Sequence, residues 1–189
     1  GVYYPDQGTG QTDNTRTATF ALKAGVALYG GFEGSEALRE QRDWAAHVTV
    51  LSGDLDGNDT TTPIGNNAYH VVTAQSVTET AVLDGFTVTA GKADVNYLQY
   101  DSGGGMYNEG VRPTVTNCTF IANTAGVGGG MYSFESSPTV TNCTFTANTA
   151  SDEWFGGGGM CIIAGIPTVT ACSFSENTAT RGGGISTNF

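Results

Sequence analysis

The sequence predicts an all-β protein, a right-handed parallel β-helix (a solenoid) with three strands in each coil of about 25 residues. Three observations lead to this fold class. Blocks of sequence repeat at a nearly constant spacing, each block alternates with the period of a β-strand, and neither the blocks nor their connections show helical periodicity. We interpret residues 1–189 as a single β-helix, with irregular front coils at 1–91 and regular coils at 92–189.

Three blocks travel together through the second half. The glycine block GGGMY, with its variants GGGMC and GGGIS, recurs at offsets of 25, 29 and 25 residues, beginning at Gly103, Gly128, Gly157 and Gly182. The block PTVTNCTF, or PTVTACSF, begins at Pro113, Pro138 and Pro167. The triplet Asn-Thr-Ala begins at Asn123, Asn148 and Asn177. The longer middle offset predicts a loop at 151–155.

Each regular coil divides into a strand at GGGMY, a strand at PTVT and a strand at CTFIA. In PTVTNCTF, period-2 alternation points Val115, Cys118 and Phe120 inward and the threonines outward. The alternation breaks at Asn117, where we expect a bend, because asparagine tolerates a left-handed backbone. Stacked coils place like on like, which predicts internal columns of Cys and Phe and an Asn ladder at a corner.

The front half fits the same architecture with weaker repetition. Period-2 segments rich in strand-forming residues occur at 17–22, 26–32, 48–51, 68–74 and 82–89. Residues 83–88 take the place of the later TNCTF segments, with the register open by one or two residues. The segment 35–44 is the exception. It predicts one or two helical turns with Ser35 as the N-cap, forming a side loop.

Composition excludes some partners. Seven basic and 18 acidic residues give a net charge of -11, which disfavours nucleic acid and anionic membrane, because phosphate binding needs clustered Lys and Arg. The sequence has no apolar stretch long enough for a membrane span, and we expect that any signal peptide has been removed.

The repeats carry a family resemblance. GGGMY together with F-x-x-N, at Phe120–Asn123, Phe145–Asn148 and Phe174–Asn177, resembles the GGA-I and FxxN repeats of polymorphic outer-membrane proteins, a family of bacterial surface adhesins. The front segments VALYGGFEG, QRDW and LSGD resemble the opening coils of large bacterial secreted β-helix repeat proteins. The resemblance implies a fold of the pectate-lyase-like superfamily, in which lyases, hydrolases, adhesins and passive stalks all occur.

The cysteines are predicted to be unpaired. Cys118, Cys143 and Cys172 occupy equivalent inward positions, and parallel stacking is a poor geometry for a disulfide. We interpret them as buried apolar fillers, with Cys161 in the tyrosine position of another face.

One segment offers hard oxygen ligands. Asp54, Asp56, Asn58 and Asp59 place carboxylates around a glycine turn, which makes them a candidate Ca²⁺ site. The alternative is a solvated Asx turn, which the same residues also form. No other cofactor is expected.

Polysaccharide cleavage is the enzymatic alternative for this fold. A hydrolase needs carboxylates that converge on one groove, and a lyase needs a base near acidic Ca²⁺ ligands. The basic residues are scattered, and the outward positions of the regular strands are mainly Thr and Ser. We therefore predict no catalytic residues in this chain.

Two longer loops supply the candidates for adhesion. The loops at 92–102 and 151–155 leave the coil at the same corner, directly after equivalent segments. Each carries aromatic and acidic residues, and we assign adhesive contacts to Tyr97, Tyr100, Trp154 and Phe155. The alternative is that these rings pack on their own coil.

Taken together, the sequence favours a non-enzymatic extracellular structural or adhesive β-helix, part of a bacterial surface stalk or head-to-tail fibre. The alternative is a carbohydrate-active module, either lyase-like or glycan-binding. The sequence shows no cap at its first or last coil, so we expect continuation of a longer β-helix or self-association through open coil ends.

Overall fold

A computed structural model describes residues 1–60, 63–75, 80–95 and 100–188. Over these residues the chain is a parallel β-helix, which confirms the predicted fold class. The strands in chain order are β1 (Val2–Tyr3), β2 (Phe20–Ala21), β3 (Ala27–Tyr29), β4 (Thr49–Ser52), β5 (Val72–Gln75), β6 (Val82–Asp84), β7 (Phe86–Thr89), β8 (Lys92–Ala93), β9 (Met106–Glu109), β10 (Thr114–Thr116), β11 (Thr119–Ile121), β12 (Thr124–Ala125), β13 (Met131–Phe134), β14 (Thr139–Thr141), β15 (Thr144–Thr146), β16 (Thr149–Ala150), β17 (Met160–Ile163), β18 (Thr168–Thr170), β19 (Ser173–Ser175), β20 (Thr178–Ala179) and β21 (Ile185–Asn188).

Four parallel sheets run along the helix axis. Sheet A has the order β1-β4-β7-β11-β15-β19, and sheet B has the order β2-β5-β9-β13-β17-β21. Sheet C has the order β3-β6-β10-β14-β18, and sheet D has the order β8-β12-β16-β20. A regular coil therefore visits B, C, A and D. The three predicted strands are present. Each regular coil also has a fourth strand, a Thr-Ala pair in sheet D, which we had predicted to be part of a corner.

Inward columns form the core. The parallel register pairs Phe120 with Phe145 and Phe145 with Phe174, as the repeats predict. Their rings stack with centroids 4.8 Å and 4.9 Å apart and are tilted by only 4° and 5°. Met106, Met131 and Met160 form a second fully buried column on sheet B. Dispersion between identical stacked side chains, together with their burial, stabilises the coil register.

Two bends shape each coil. Asn117 and Asn142 both have φ 52°, and Ala171 takes the same conformation in the last coil, so the predicted bend is confirmed. A second left-handed residue follows sheet A, at Ala122, Ala147 and Glu176. This bend was not predicted, because alanine gives no signal for positive φ. It turns the chain into the corner where the Asn ladder lies.

The predicted internal ladder is also confirmed. Asn123 donates from Nδ2 to Oδ1 of Asn148 over 3.0 Å, and Asn148 donates to Asn177 in the same way over 2.9 Å. Each Oδ1 also accepts the backbone N–H of the preceding ladder residue, at Asn123 and Asn148. Buried polar groups are stable only when they are hydrogen-bonded, so this ladder satisfies amides that the core would otherwise leave unpaired.

All four cysteines are free, as expected. Cys118 and Cys143 are buried, and their thiols lie close to backbone carbonyls of their own coil and of the preceding one. The hydrogen bond with Cys118 and burial together raise the pKa of the Cys143 thiol. The Cys143 thiol therefore remains protonated, and both residues pack as small core side chains.

The front coils join the same sheets, and the structure fixes their register. Leu83 pairs with Val115 and Val88 pairs with Phe120, so 84–88 correspond to the TNCTF segment. The predicted strand 82–89 is divided into β6 and β7 at Gly85, which has φ 83° and stands where Asn117 stands one coil later.

The predicted helical turns at 35–44 reduce to a single 3-10 turn, Arg39–Gln41, and Ser35 is not its N-cap. The N-cap is Leu38. Gln41 Oε1 accepts the N–H groups of Ala37 and Leu38, while the Glu36 carboxylate accepts those of Glu33 and Gly34. Because these side chains tie up the free N–H groups, the segment closes as a loop and does not extend as a helix.

Candidate functional site

The two candidate loops leave the same corner, as the repeat register predicts. The predicted start of the first loop, at 92, is wrong, because Lys92–Ala93 form β8. Ala93 pairs with Ala125 and Ala125 pairs with Ala150, so both loops begin one residue after equivalent positions of sheet D. One intervening coil, which makes a short turn at Gly126, separates them. Tyr97 lies outside the described residues. We call Asp94, Tyr100, Asp101, Asp152, Trp154 and Phe155 the corner patch.

The aromatic residues of the patch behave differently from one another. The Tyr100 ring packs on the preceding coil, 4.8 Å from the ring of Tyr69 and 6.1 Å from that of His70. Trp154 is 71% exposed and Phe155 is 37% exposed. The backbone N–H groups of Trp154 and Phe155 both donate to Asp152 Oδ1 over 2.7 Å, which holds the loop in an Asx turn. Trp154 is therefore presented to solvent from an ordered turn.

Acidic groups surround these rings. Burial raises the pKa of Asp101 above its ordinary value, and the nearby charges of Asp152 and Asp94 raise it further. Asp94 pairs with Arg16 over 2.6 Å, and the Arg16 guanidinium lies 4.2 Å from the centre of the Tyr69 ring. Asp152 donates its backbone N–H to the Gly126 carbonyl over 2.8 Å, and a Cβ on Gly126 would clash with the Asp101 carboxylate, so both loops contact the intervening coil at Gly126. The structure therefore places Asp101 and Asp152 of the two loops at the same corner.

A buried histidine lies beneath the patch. The His70 ring packs 5.0 Å from the ring of Tyr107, which stacks in turn on Tyr132 at 5.5 Å. His70 Nδ1 is 3.1 Å from the carbonyl oxygen of Gly103, so Nδ1 carries the proton. Nε2 has no hydrogen-bond partner in the part of the chain that the structure describes. Burial lowers the pKa of His70 to about 4, which keeps the ring neutral at ordinary pH.

Cys161 extends this outer cluster. It pairs with Tyr132 in sheet B, occupies the tyrosine position as predicted, and belongs to one buried cluster with Tyr107 and Val127. Burial raises the pKa of its thiol to about 12. Val127 of this cluster donates its backbone N–H to the Asp101 carbonyl over 3.0 Å, which joins the cluster to the first corner loop.

The candidate Ca²⁺ segment forms a network of Asx hydrogen bonds. Asp54 accepts the backbone N–H groups of Asn58 and Asp59. Asp56 accepts from the Asn58 side chain over 2.8 Å, and Asp59 accepts from Asn67 over 2.6 Å. Within the described ranges, no three His, Cys, Asp or Glu side chains form a group that could hold a metal ion. The carboxylates are used by N–H donors, and the Ca²⁺ assignment stays a prediction.

A second polar assembly, on the first bend, was not found from the sequence. Arg42 forms a salt bridge with Asp84 and donates from Nη1 to the Gly30 carbonyl over 2.8 Å. Its guanidinium lies 5.1 Å from the centre of the Trp44 ring. A loop-to-rung contact of this kind leaves no periodic signal in the sequence, although the QRDW segment contains both loop residues.

Comparison with protein-family models, with curated proteins and with solved structures finds no match. The fold is established by the geometry, and the resemblances to outer-membrane adhesin repeats and to the pectate-lyase-like superfamily stay predictions. Among the described residues, no helix is long and apolar enough to cross a membrane.

Proposed function

We propose that this chain is a non-enzymatic structural or adhesive β-helix that acts outside the cell, as a segment of a bacterial surface stalk or fibre. The observation that carries the proposal is the corner patch, where the loop at 151–155 presents two exposed aromatic rings on the edge that also carries the carboxylates of both loops. Binding residues are commonly held on loops above a rigid scaffold, and this chain follows that plan.

The scaffold supports the adhesive role because its columns fix the spacing of the loops. The Phe120–Phe145–Phe174 stack and the Asn ladder cross the coil of the second loop. Asn123 also bonds the backbone of Gly91 and Val88, in the coil from which the first loop emerges. A change in register would break both columns at once. The loops are therefore held at a constant separation, which reduces the conformational entropy that binding would otherwise remove.

The chemistry of the patch favours a partner with both apolar and cationic groups. An exposed tryptophan buries a large area on contact, and aromatic anchors dominate many interfaces. Asp101 would gain from a neighbouring positive charge, since burial and the nearby Asp152 charge both disfavour its ionised form. The chain's net charge of -11 acts in the same direction at longer range.

Binding of fluorescently labelled chain to cultured host cells and to immobilised matrix proteins tests the proposal. We expect Trp154→Ala to reduce binding at least about tenfold, a loss of about 1.4 kcal/mol, because it removes the main exposed ring of the patch. Ile166→Ala is the matched control, since Ile166 is 83% exposed but lies in the turn before sheet C. Equal binding by both variants and the unmodified chain would reject the adhesive role.

Polysaccharide cleavage is tested separately. The chain is incubated with a panel of acidic and neutral polysaccharides, with and without Ca²⁺, while new reducing ends and unsaturated ends are followed. We expect no product above the level of a heat-inactivated sample. Product formation that depends on the chain would replace the structural role with an enzymatic one.

In a stalk or fibre, the end coils would stack on further coils. Phe174, Val169 and Cys172 of the last coil are only partly buried, although their equivalents in the preceding coils are fully buried. Another coil in the same register, from a longer chain or from a second copy, would cover them. Such stacking extends the sheets without any new type of contact.

A further inference from the structure

A groove of about 340 Å³ lies on the outer surface of the first bend, on the side of the helix where sheets A and C meet. Its walls come from the inserted loop and from the bends of three successive coils, so the groove extends along the helix axis. The lining side chains used below are Trp44, Thr87, Asn117, Thr119, Asn142 and Thr144.

Trp44 forms one end of the groove as a fixed platform. It is 39% exposed, and its ring lies on the Arg42 guanidinium, which Asp84 and the Gly30 carbonyl hold in place. Gly85 makes this arrangement possible, because a Cβ at this position would lie 2.5 Å from Arg42 Nη1. The loop therefore occupies the space that the Asn117 side chain fills one coil later.

Two amides continue from the platform along the axis. Asn117 donates from Nδ2 to Asp84 Oδ1 over 2.7 Å, and Asn142 donates to Asn117 Oδ1 over 2.7 Å. Each amide nitrogen has two hydrogens, so each retains one donor after this bond. The row ends at the next coil, where Ala171 replaces the asparagine. These outward amides face the groove, in contrast to the buried Asn ladder.

Hydroxyl groups form a parallel row. Thr87 pairs with Thr119, and Thr119 pairs with Thr144, so their side chains repeat along sheet A at the ~4.8 Å spacing of paired strands. The hydroxyls of Thr87 and Thr119 make no hydrogen bond to any residue that the structure describes. The Thr144 hydroxyl accepts one from Ser173 over 3.1 Å.

We propose that this groove binds a linear neutral oligosaccharide, with one sugar ring stacked on Trp44 and the chain lying along the amide and hydroxyl rows. A sugar ring has an apolar C–H face and a rim of hydroxyls, which match an aromatic platform beside regularly spaced donors and acceptors. The groove favours a neutral ligand because its charged neighbours, Arg42 and Asp84, already neutralise each other. This site is separate from the corner patch, which lies where sheet D meets sheet B.

The experiment uses the 189-residue chain carrying Trp154→Phe, so that Trp44 is the single tryptophan. The probes are β-1,4-linked hexamers of glucose, xylose, mannose and N-acetylglucosamine, with hexagalacturonate as the charged comparison. We expect a neutral hexamer to shift the Trp44 emission and to bind with a Kd of about 1 mM or tighter by calorimetry. Trp44→Ala should weaken this binding at least about tenfold, a loss of about 1.4 kcal/mol.

Two milder variants guard against a folding artefact. Asn142→Ala and Thr144→Val each remove a polar group from the groove without touching the Trp44 loop, and each should weaken binding several-fold with unchanged circular dichroism. Trp154→Ala should bind the hexamers as the unmodified chain does, which separates this site from the adhesive patch. The proposal is wrong if none of the neutral hexamers binds, if hexagalacturonate binds more tightly, or if Asn142→Ala and Thr144→Val both bind unchanged.

Discussion

At the scale of single residues, identical side chains stacked on one another stabilise the core. Phe120 and Phe145 are completely buried, and the Phe145 ring has an aromatic neighbour on each side. Gly130 lies against this ring, so the space around it is already closed by backbone. A side chain with close neighbours on every side leaves a cavity when it is truncated, because the surrounding coils are fixed by their own hydrogen bonds.

Phe145→Ala should lower the free energy of unfolding by about 3–5 kcal/mol, because it removes buried surface and leaves a cavity between two rings. The matched control is Thr141→Ala, at an outward position of sheet C, which should cost less than about 1 kcal/mol. Urea denaturation followed by circular dichroism measures both. A larger loss for Thr141→Ala than for Phe145→Ala would contradict the inward and outward assignments.

His70 makes stability depend on pH. Its folded-state pKa of about 4 lies below the unfolded value near 6.5, so between these values the unfolded chain binds a proton that the folded chain does not. Stability is therefore full above pH 6.5 and falls as the pH drops towards 4, by a total of about 3 kcal/mol.

The test compares the unfolding free energies of the unmodified chain and of His70→Gln at pH 7 and pH 4.5. The variant should lose less stability between the two pH values. Asp101, whose pKa is raised by burial, acts in the opposite direction in both proteins and cancels in the comparison. Parallel pH curves for the two proteins would contradict the assigned role of His70.

At the scale of elements, each coil carries two kinds of asparagine row. Asn148 is buried, and its Oδ1 accepts from both the backbone N–H and the Nδ2 of Asn123. Asn142 lies on the outer surface, and its side chain makes one hydrogen bond within the described chain, to Asn117. The two residues share a type and a coil but differ in the number of buried groups that depend on them.

Asn148→Ala should therefore cost about 2–5 kcal/mol, because it leaves the buried donors of Asn123 and the Phe120 carbonyl without this partner. Asn142→Ala should cost less than about 1 kcal/mol, since water can replace the exposed amide. Chemical denaturation of the two variants side by side gives the comparison. Similar losses would mean that the inner ladder contributes no more than the outer row.

The repeats predicted most of the elements because every coil must place the same residue type in the same column. They could not predict the second bend, since Ala122 and Ala147 adopt a left-handed backbone that only the coil geometry imposes on alanine. The corner patch followed from register alone. The Trp44 groove could not be predicted from the register, because it depends on how an inserted loop lies across a coil. The need for glycine at position 85 is visible only in the structure, where Arg42 packs against it.

At the scale of the whole molecule, the inward side chains of the inner coils are buried, whereas those of the last coil are partly exposed. Met106, Met131 and Met160 form an inward column on sheet B and are fully buried, whereas Ile185, the next member, is 38% exposed. At the other end, Val2 and Tyr3 of β1 are more than half exposed. Each end surface presents apolar side chains beside strand edges that have one partner strand where inner strands have two.

We expect the 189-residue chain to associate end to end in solution, because stacking a further coil buries apolar surface and continues the parallel sheets. Ile185→Asp places a charge in the centre of one end surface and should shift the chain towards monomer, since burying an unpaired carboxylate is strongly unfavourable. Thr139→Asp is the control: it introduces the same charge at an exposed position of the inner strand β14 and should leave association unchanged. Size-exclusion chromatography with light scattering over a range of concentrations measures the mass of each species. A concentration-independent monomer of the unmodified chain that also fails to bind an apolar dye would show that the end surfaces are stable without a partner.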